Sequence, residues 1–358
     1  MNNIKNYNYM FPEELIAKYP NKNRDDSKML IVDRENQSFS HNTFKQFPNY
    51  INENDIIVYN DVRVEKVRFF AKRQTGGKVE ILLLKQINQN DRLWEAMVNS
   101  SRSLRKDENL ILEDNTTVIV IKEKVNMSYQ IYFDHSNSTY ENSINKDFIE
   151  YHLNWIDYFG QMPIPPYLKR DYDKDLDGSR YQTVYAQKGL ACAAPTAGLH
   201  FTENILNILK EKNIKMHPVT LNVGIGTFLP VRSENILEHK MHYEEYFIST
   251  PTYDAIKIAK ENRNKIIAIG TTSVRTIESF FTNKEAKLDS WNKTEMYIYP
   301  GYEFKAVGGL LTNFHQPKSS LFIMVSAFAS QKLMQNAYEE AIREKYRLFS
   351  YGDCMLIL

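Results

Sequence analysis

Short apolar runs separated by polar turns mark the first part of the chain. MLIVD at residues 29–33 and DIIVYND at residues 55–61 are rich in β-branched residues and predict two buried strands. Pro12 followed by EELIAKY predicts a short helix, because proline is favoured at the first helical position and acidic residues in the first turn.

Between Val64 and about His135 the pattern changes to an alternation of apolar and polar residues. VRFFAKR and KVEILLLK flank a turn at Gly76 and Gly77, and the runs RLWEAMV, NLILE, TTVIVIKEK and SYQIYFD follow. Successive side chains of a strand point to opposite faces, so this alternation predicts strands with one buried face. The segment is therefore predicted to be an antiparallel β module.

From about Tyr151 onward, helical and extended patterns alternate. FIEYHLNWIDYF, ENILNILKEK, TYDAIKIAKEN, VRTIESFF and KLMQNAYEEAIREKY have helical spacing, HPVTLNVG and KIIAIG are extended, and the polar residues 171–179 predict a mobile surface loop. Such alternation is typical of an α/β domain with a largely parallel sheet. We predict a mixed α/β fold in which residues 1–64 and 151–358 form one discontinuous domain and residues 65–150 are inserted.

Composition agrees with two folded domains. The 358 residues exceed the roughly 250 to 300 at which one core stops growing, and 42% hydrophobic with 25% charged residues is ordinary for a globular protein. Lys and Arg total 45 against 44 Asp and Glu, so a polyanionic partner must be met by a local basic patch. Two cysteines make no disulfide framework, and the N-terminus has no apolar leader, so we expect a cytoplasmic protein without membrane contact.

Two strings after predicted strands contain groups that can bind an anion. IIAIG followed by TTSVR puts Gly270, Thr271, Thr272 and Ser273 at a strand-to-helix turn, and Arg275 could grip a carboxylate or phosphate. The alternative is that Thr272 or Ser273 is only an N-cap.

Histidines occur in three further strings. His200 ends the small-residue string GLACAAPTAGLHFT, whose alternative is a tightly packed loop with Thr202 as an N-cap. His315 and Lys318 lie in TNFHQPKSS, a loop position at which α/β enzymes place working residues. HKMHYEE contains His239, His242 and Glu244, which lack metal spacing, so we predict no metal and candidate acid or base residues at His242 and Glu244.

Weaker signals are an acidic and a basic group near a strand end and a basic stretch in the β module. Asp61 and Arg63 in YNDVR are as consistent with an ordinary ion pair as with a site. The basic residues can form either an RNA surface or a solvated face; they are Lys66, Arg68, Lys72, Arg73, Lys78, Arg102, Arg105 and Lys106.

Taken jointly, these strings resemble one enzyme family. RYQTVYA, AAPTAGLHFT, VGIGTF, HKMHYE, GTTSVR, YPGY, LLTNFH and FSYGD, in this order, are similar to the S-adenosylmethionine:tRNA ribosyltransferase-isomerases of queuosine biosynthesis. RDDSKMLIVDR, TGGKVEILLL and YGDCMLIL extend the resemblance over essentially the whole chain. It implies that the inserted module is a small antiparallel β-barrel.

The resemblance also implies the reaction. The ribosyl part of S-adenosylmethionine is moved onto 7-aminomethyl-7-deazaguanine in tRNA and rearranged, giving epoxyqueuosine, adenine and methionine. S-adenosylmethionine is then a consumed substrate, no cofactor is expected, and we expect a monomer.

Residue roles follow from the resemblance as hypotheses. His200, His242 and His315 are acid and base candidates, Arg275 with Thr271 and Thr272 is the candidate clamp for the methionine carboxylate, and Asp61 or Glu244 pairs with the aminomethyl group. Substrate contacts are expected at Arg63, Thr196, Gly198, Gly226, Thr227, Thr271, Thr272, Ser273, Arg275 and Asn313.

The chain departs from the family pattern at several positions, the main ones being Val62, Asn99, Asn222 and Gly308. The departures leave open a diverged member that binds tRNA or a nucleoside without catalysis. An α/β enzyme acting on a phosphorylated small molecule is a third possibility, supported only by the Gly270 turn.

Overall fold

A computed structural model describes residues 2–87, 92–113, 115–125, 128–134, 156–224 and 230–358. It has a nine-stranded sheet, a closed six-stranded antiparallel barrel and a two-stranded sheet. The predicted mixed α/β fold with an antiparallel barrel is confirmed.

The strands and helices of the described residues are numbered here in chain order. The strands are β1 Lys28–Asp33, β2 Ser38–Thr43, β3 Ile56–Asn60, β4 Val62–Val64, β5 Arg68–Arg73, β6 Lys78–Gln86, β7 Leu93–Ser100, β8 Asn109–Leu112, β9 Val118–Val125, β10 Ser128–Asp134, β11 Lys188–Ala191, β12 Lys215–Asn222, β13 Glu244–Phe247, β14 Ile266–Ile269, β15 Trp291–Thr294, β16 Gly309–Asn313 and β17 Cys354–Ile357. The α-helices are α1 Lys174–Arg180, α2 Glu203–Glu211, α3 Thr250–Glu261, α4 Gly270–Thr282, α5 Ser320–Ala329 and α6 Gln331–Arg343.

The large sheet has the strand order β15-β13-β12-β3-β14-β16-β17-β1-β2. Its central strands β12, β3, β14 and β16 are mutually parallel. The outer neighbours β15–β13, β13–β12, β16–β17 and β1–β2 are antiparallel. β1 and β17 are also parallel, so four of the eight pairings are parallel and four are antiparallel. The prediction of a largely parallel sheet was therefore wrong for half of the pairings, because local apolar runs do not specify the direction of pairing.

Helices cover both faces of the central strands. On one face, Val219 and Leu221 of β12 share a core with Ile256 of α3 and Ile277 of α4. On the other face, Ile57 and Ile267 pack with α2, in which Ile205 and Leu209 are both buried. Residues four apart lie on one side of a helix, which explains why ENILNILKEK forms this element.

The barrel consists of β5 to β10 and closes through the pairing of β9 with β10. Phe69 and Ala71 alternate with more exposed residues in β5, as the alternating pattern predicts. Cys192 of the α/β part packs into the barrel core, so the barrel lies next to the segment that begins at Ala193. The exact junctions at residues 64 and 150 stay a prediction, and residues 135–155 lie outside the described residues.

Residues 171–179 were predicted as a mobile loop, and this was wrong, because they contribute most of helix α1. Asp173 caps the helix by accepting from the backbone N–H of Leu176 at 3.0 Å. Asp177 is buried and accepts from Arg170 at 2.9 Å and from the Tyr351 hydroxyl at 3.1 Å. These long-range contacts stabilise a segment whose local composition favours a turn.

The sequence predicted a protein without membrane contact. Among the helices of the described residues, none is both long and apolar enough to cross a membrane.

Candidate active site

The carboxyl ends of the parallel strands β14 and β16 lie side by side and form one wall of a cleft. The short 3-10 helix Thr196–His200 and the segment before it provide another wall. The cleft encloses about 750 Å³, part of it open to solvent. Carboxyl ends of parallel strands are where α/β folds bind ligands. The predicted site residues that line it are Thr196, Gly270, Thr271, Thr272, Asn313 and His315.

Helix α4 begins in this cleft without a side-chain cap. Gly270 has a φ of +81°, a left-handed conformation that favours glycine, and the capping residue Ile269 makes no side-chain hydrogen bond. The alternative that Thr272 or Ser273 is the N-cap is therefore wrong; the Ser273 hydroxyl donates to the Ile269 carbonyl at 2.7 Å. The first amides of the helix could therefore bind an anion, which the positive end of the helix dipole favours.

His315 is the histidine that lines the cleft. Its Nε2 is 2.9 Å from the Thr312 hydroxyl, and its backbone N–H donates to the Tyr338 hydroxyl at 2.8 Å. Tyr9 donates to the His315 carbonyl, so the backbone is held from two sides. Burial lowers the pKa of His315 to about 3. The imidazole is thus neutral at pH 7, and the same burial makes it a weak base.

His200 lies behind the cleft wall rather than in it. The Asn313 amide Nδ2 donates to the carbonyls of Phe349 at 3.3 Å and Asp353 at 3.4 Å, which fixes its orientation. The same Nδ2 is 3.2 Å from His200 Nε2, which therefore accepts, and Nδ1–H donates to Ser27 at 3.0 Å. His200 thus orients Asn313, a cleft residue, in the tautomer assigned from this network.

The neutral state of His200 makes a pH dependence testable. Burial lowers its pKa from 6.5 to about 4, so the unfolded chain binds more protons than the folded chain between these values. The stabilisation present above pH 6.5 is lost as the pH falls toward 4, and we expect a loss on the order of 3 kcal/mol from this group. Chemical denaturation at pH 7 and pH 5, between which about 2 kcal/mol of this loss should appear, checks the prediction. A His200→Gln variant with an undiminished pH dependence would contradict it.

Arg275 and Glu244 form a buried ion pair outside the cleft lining. Arg275 is 1% exposed and Glu244 5%, and the Nη1 of Arg275 donates to the carboxylate. The other carboxylate oxygen accepts from the backbone N–H of Gly224 at 3.0 Å, and Arg275 Nε donates to the Met296 carbonyl at 3.3 Å. Sequence reasoning placed both residues at the site but did not predict that they pair with each other.

The other predicted residues within the described part of the chain do not line the cleft. Asp61 is buried, accepts from the Thr220 hydroxyl at 2.6 Å, and has its pKa raised by burial. Arg63 is exposed and pairs with Glu65 at 3.0 Å. His242 is exposed. Gly198 packs so closely that an added Cβ would overlap the Tyr185 hydroxyl. Gly226 and Thr227 lie outside the described residues.

Two aromatic residues and a serine of the cleft were not predicted. Tyr167 and Ser350 line it and share a hydrogen bond between their hydroxyls, and Phe349 lies beside them. Burial raises the pKa of Tyr167 to about 12, so the phenol is protonated at pH 7. The FSYGD string contains Phe349 and Ser350 and was the available signal in the sequence.

The main departures from the family pattern are not among the residues that line the cleft, although Asn222 directly precedes the lining residue Val223. Val62, Asn99, Asn222 and Gly308 are absent from the residues that line it in the described part of the chain. Val62 and Asn222 meet at Gly189, where an added Cβ would lie 2.4 Å from Asn222 Oδ1 and 3.1 Å from Val62 Cγ2. In the described residues, no group of three or more His, Cys, Asp or Glu side chains is placed to hold a metal ion.

Comparison with known proteins agrees with this arrangement. The sequence profile of the queuosine biosynthesis protein family matches residues 4–357. An S-adenosylmethionine:tRNA ribosyltransferase-isomerase from Staphylococcus epidermidis is 41% identical over 99% of this chain and 100% of its own. One from Trichlorobacter lovleyi is 38% identical over 99% of both chains. The crystal structure of an S-adenosylmethionine tRNA ribosyltransferase from Thermotoga maritima is 27% identical with a TM-score of 0.53, over 99% of this chain and 100% of that one. The chain therefore belongs to the queuosine biosynthesis protein family, whose matched relatives are transferases.

Proposed function

We propose that this enzyme transfers the ribosyl part of S-adenosylmethionine to 7-aminomethyl-7-deazaguanine in tRNA and isomerises it, giving epoxyqueuosine, adenine and methionine. The observation that carries the proposal is the cleft at the ends of β14 and β16, which combines an uncapped helix N-terminus with a neutral histidine. The relatives that match over their full length bear the corresponding name.

Binding of the methionine part is the first step. We assign its carboxylate to the amides of Gly270, Thr271 and Thr272, where the helix dipole favours an anion. Arg275 is the weaker candidate, because its guanidinium already donates to Glu244.

Proton transfer is the second step. A proton must leave the carbon beside the sulfonium, and among the described residues His315 is the histidine that lines the cleft. The imidazole is neutral, which is the protonation state that a base requires, but its low pKa makes it a weaker base than an ordinary histidine. Asn313 and Thr196 are assigned to hold the substrate in position for this step.

The departures from the family pattern do not favour the non-catalytic alternative, since they lie outside the cleft lining. S-adenosylmethionine is a consumed substrate in this proposal, and no further cofactor takes part. We further propose that the enzyme acts as a monomer in the cytoplasm.

The test is to mix the protein with S-adenosylmethionine and a tRNA that bears 7-aminomethyl-7-deazaguanine. Mass spectrometry is expected to find epoxyqueuosine in the tRNA together with free adenine and methionine. A tRNA with unmodified guanine at the same position is the control and should release no adenine. A folded protein that binds the modified tRNA but forms neither product would support the diverged binder instead.

A further inference from the structure

One edge of the large sheet exposes aromatic rings interleaved with lysines. We call this the edge surface and define it by Tyr243, Phe247, Trp291, Lys188 and Lys293. Trp291 is 50% exposed and Tyr243 is 49% exposed, which is unusual for large aromatic side chains without a partner. Lys188 and Lys293 are both exposed.

The rings and the lysines are organised by the pairing of β13 with β15. Phe247 and Trp291 are cross-strand partners, and their ring centroids are 5.8 Å apart. Lys188 Nζ lies 5.1 Å from the centre of the Phe247 ring, and Lys293 Nζ lies 5.3 Å from that of Tyr243. Each ammonium therefore lies at cation–π distance from a ring while its charge stays accessible.

The edge surface is continuous with the candidate active site. Phe247 pairs with Thr220 of β12, and Glu245 pairs with Asn222 at the end of that strand. The next residue of the chain, Val223, lines the cleft. Lys85 of the barrel donates to Glu245 at 2.8 Å, so the barrel borders the same region. Lys293 is the cross-strand partner of Glu245, Lys85 lies near both Glu245 and Glu95, and Lys188 lies near the buried Asp61.

The basic stretch of the barrel is a less suitable RNA surface than the sequence suggested. Arg68 pairs with Glu80 at 2.7 Å, and Arg73 forms a two-point ion pair with Glu108. These guanidiniums are already neutralised by carboxylates, and a phosphate would have to displace them. Lys188 and Lys293 of the edge surface also lie over rings, as Arg68 does, but neither forms an ion pair within 4 Å among the described residues.

We propose that the edge surface binds a single-stranded RNA segment next to the nucleotide that enters the cleft. Bases stack on aromatic side chains regardless of sequence, and lysines neutralise the adjoining phosphates. Trp291 and Tyr243 provide the stacking faces, and Lys188 with Lys293 contacts the backbone. This inference rests on the proposed function, in which the RNA is a tRNA loop.

The experiment compares three variants with the wild-type protein and measures the binding and turnover of tRNA bearing 7-aminomethyl-7-deazaguanine. Trp291→Ala should raise the Kd and the KM for tRNA about tenfold through the loss of one stacked base, with kcat and the KM for S-adenosylmethionine unchanged. Lys188→Ala with Lys293→Ala should reduce the slope of log Kd against log salt concentration by about 0.7 per lysine. Trp291→Leu keeps apolar contact with Phe247 but lacks a stacking face, so it should behave like the alanine variant even if the latter is less stable.

The matched control lies on helix α3. Ile258 is 56% exposed, Lys257 is solvent-accessible, and α3 packs on the face of β12 opposite the edge surface. Ile258→Ala with Lys257→Ala should leave tRNA binding and its salt dependence unchanged. If the wild-type protein forms product and the edge-surface variants keep the wild-type Kd and salt slope for tRNA, the RNA-binding role of the edge surface is wrong and the proposed reaction stands. Wild-type protein that neither binds the tRNA nor forms product would overturn the proposed function as well.

Discussion

Replacing His315 with glutamine is expected to lower kcat by about 10²- to 10⁴-fold, the usual contribution of a positioned acid or base. His315 lines the cleft, and its burial keeps the imidazole neutral. Glutamine retains a polar group near Thr312 but cannot accept the proton. The KM for S-adenosylmethionine should change by less than about threefold, because the lost interaction belongs to the transition state.

Single-turnover release of adenine at saturating tRNA measures this effect directly. His242→Gln is the matched control, since His242 is exposed and lies outside the residues that line the cleft. Its kcat should stay within about threefold of wild type. The assignment of the base is wrong if the His315 variant turns over at the wild-type rate, or if the His242 variant shows the larger loss.

The two buried histidines mark the limit of what the sequence could predict. His200 and His315 occur in similar small-residue or loop strings, and both were sound candidates. Their different positions depend on partners that are distant in sequence: His200 contacts Ser27, 173 residues away, and Asn313, 113 residues away. No local pattern encodes such a contact.

Local chemistry did predict several features of the fold and of the cleft. The alternation in β5 and β6 arises from side chains that point to opposite faces, so it identified the strands of the barrel. The Gly270 turn was predicted because a strand followed by small polar residues is typical of an anion-binding helix start. The directions of the outer strands and the pairing of Arg275 with Glu244 were not predicted, because both depend on the assembled sheet rather than on nearby residues.

Breaking the pair between Arg275 and Glu244 is expected to have the largest effect on stability. Arg275→Met would leave the Glu244 carboxylate buried without its guanidinium, and loss of one partner of a buried pair costs about 3 to 5 kcal/mol. Denaturant unfolding should show this loss in the free energy of unfolding. Lys257→Ala is the control, because its pair with Glu261 is 57% and 64% exposed and contributes less than about 1 kcal/mol.

The double variant Arg275→Met with Glu244→Gln tests whether the cost comes from the unpaired charge. With both charges removed, we expect part of the stability to return, so the double variant should be less destabilised than the sum of the two single variants. A strictly additive double variant, or an Arg275→Met protein within about 1 kcal/mol of wild type, would show that the pair is not stabilising. Adenine release by the double variant provides a functional comparison. Neither residue lines the cleft, so a double variant that is as stable as wild type should also have the wild-type kcat. Loss of kcat at restored stability would instead indicate that the charge of Glu244 or Arg275 acts on the substrate.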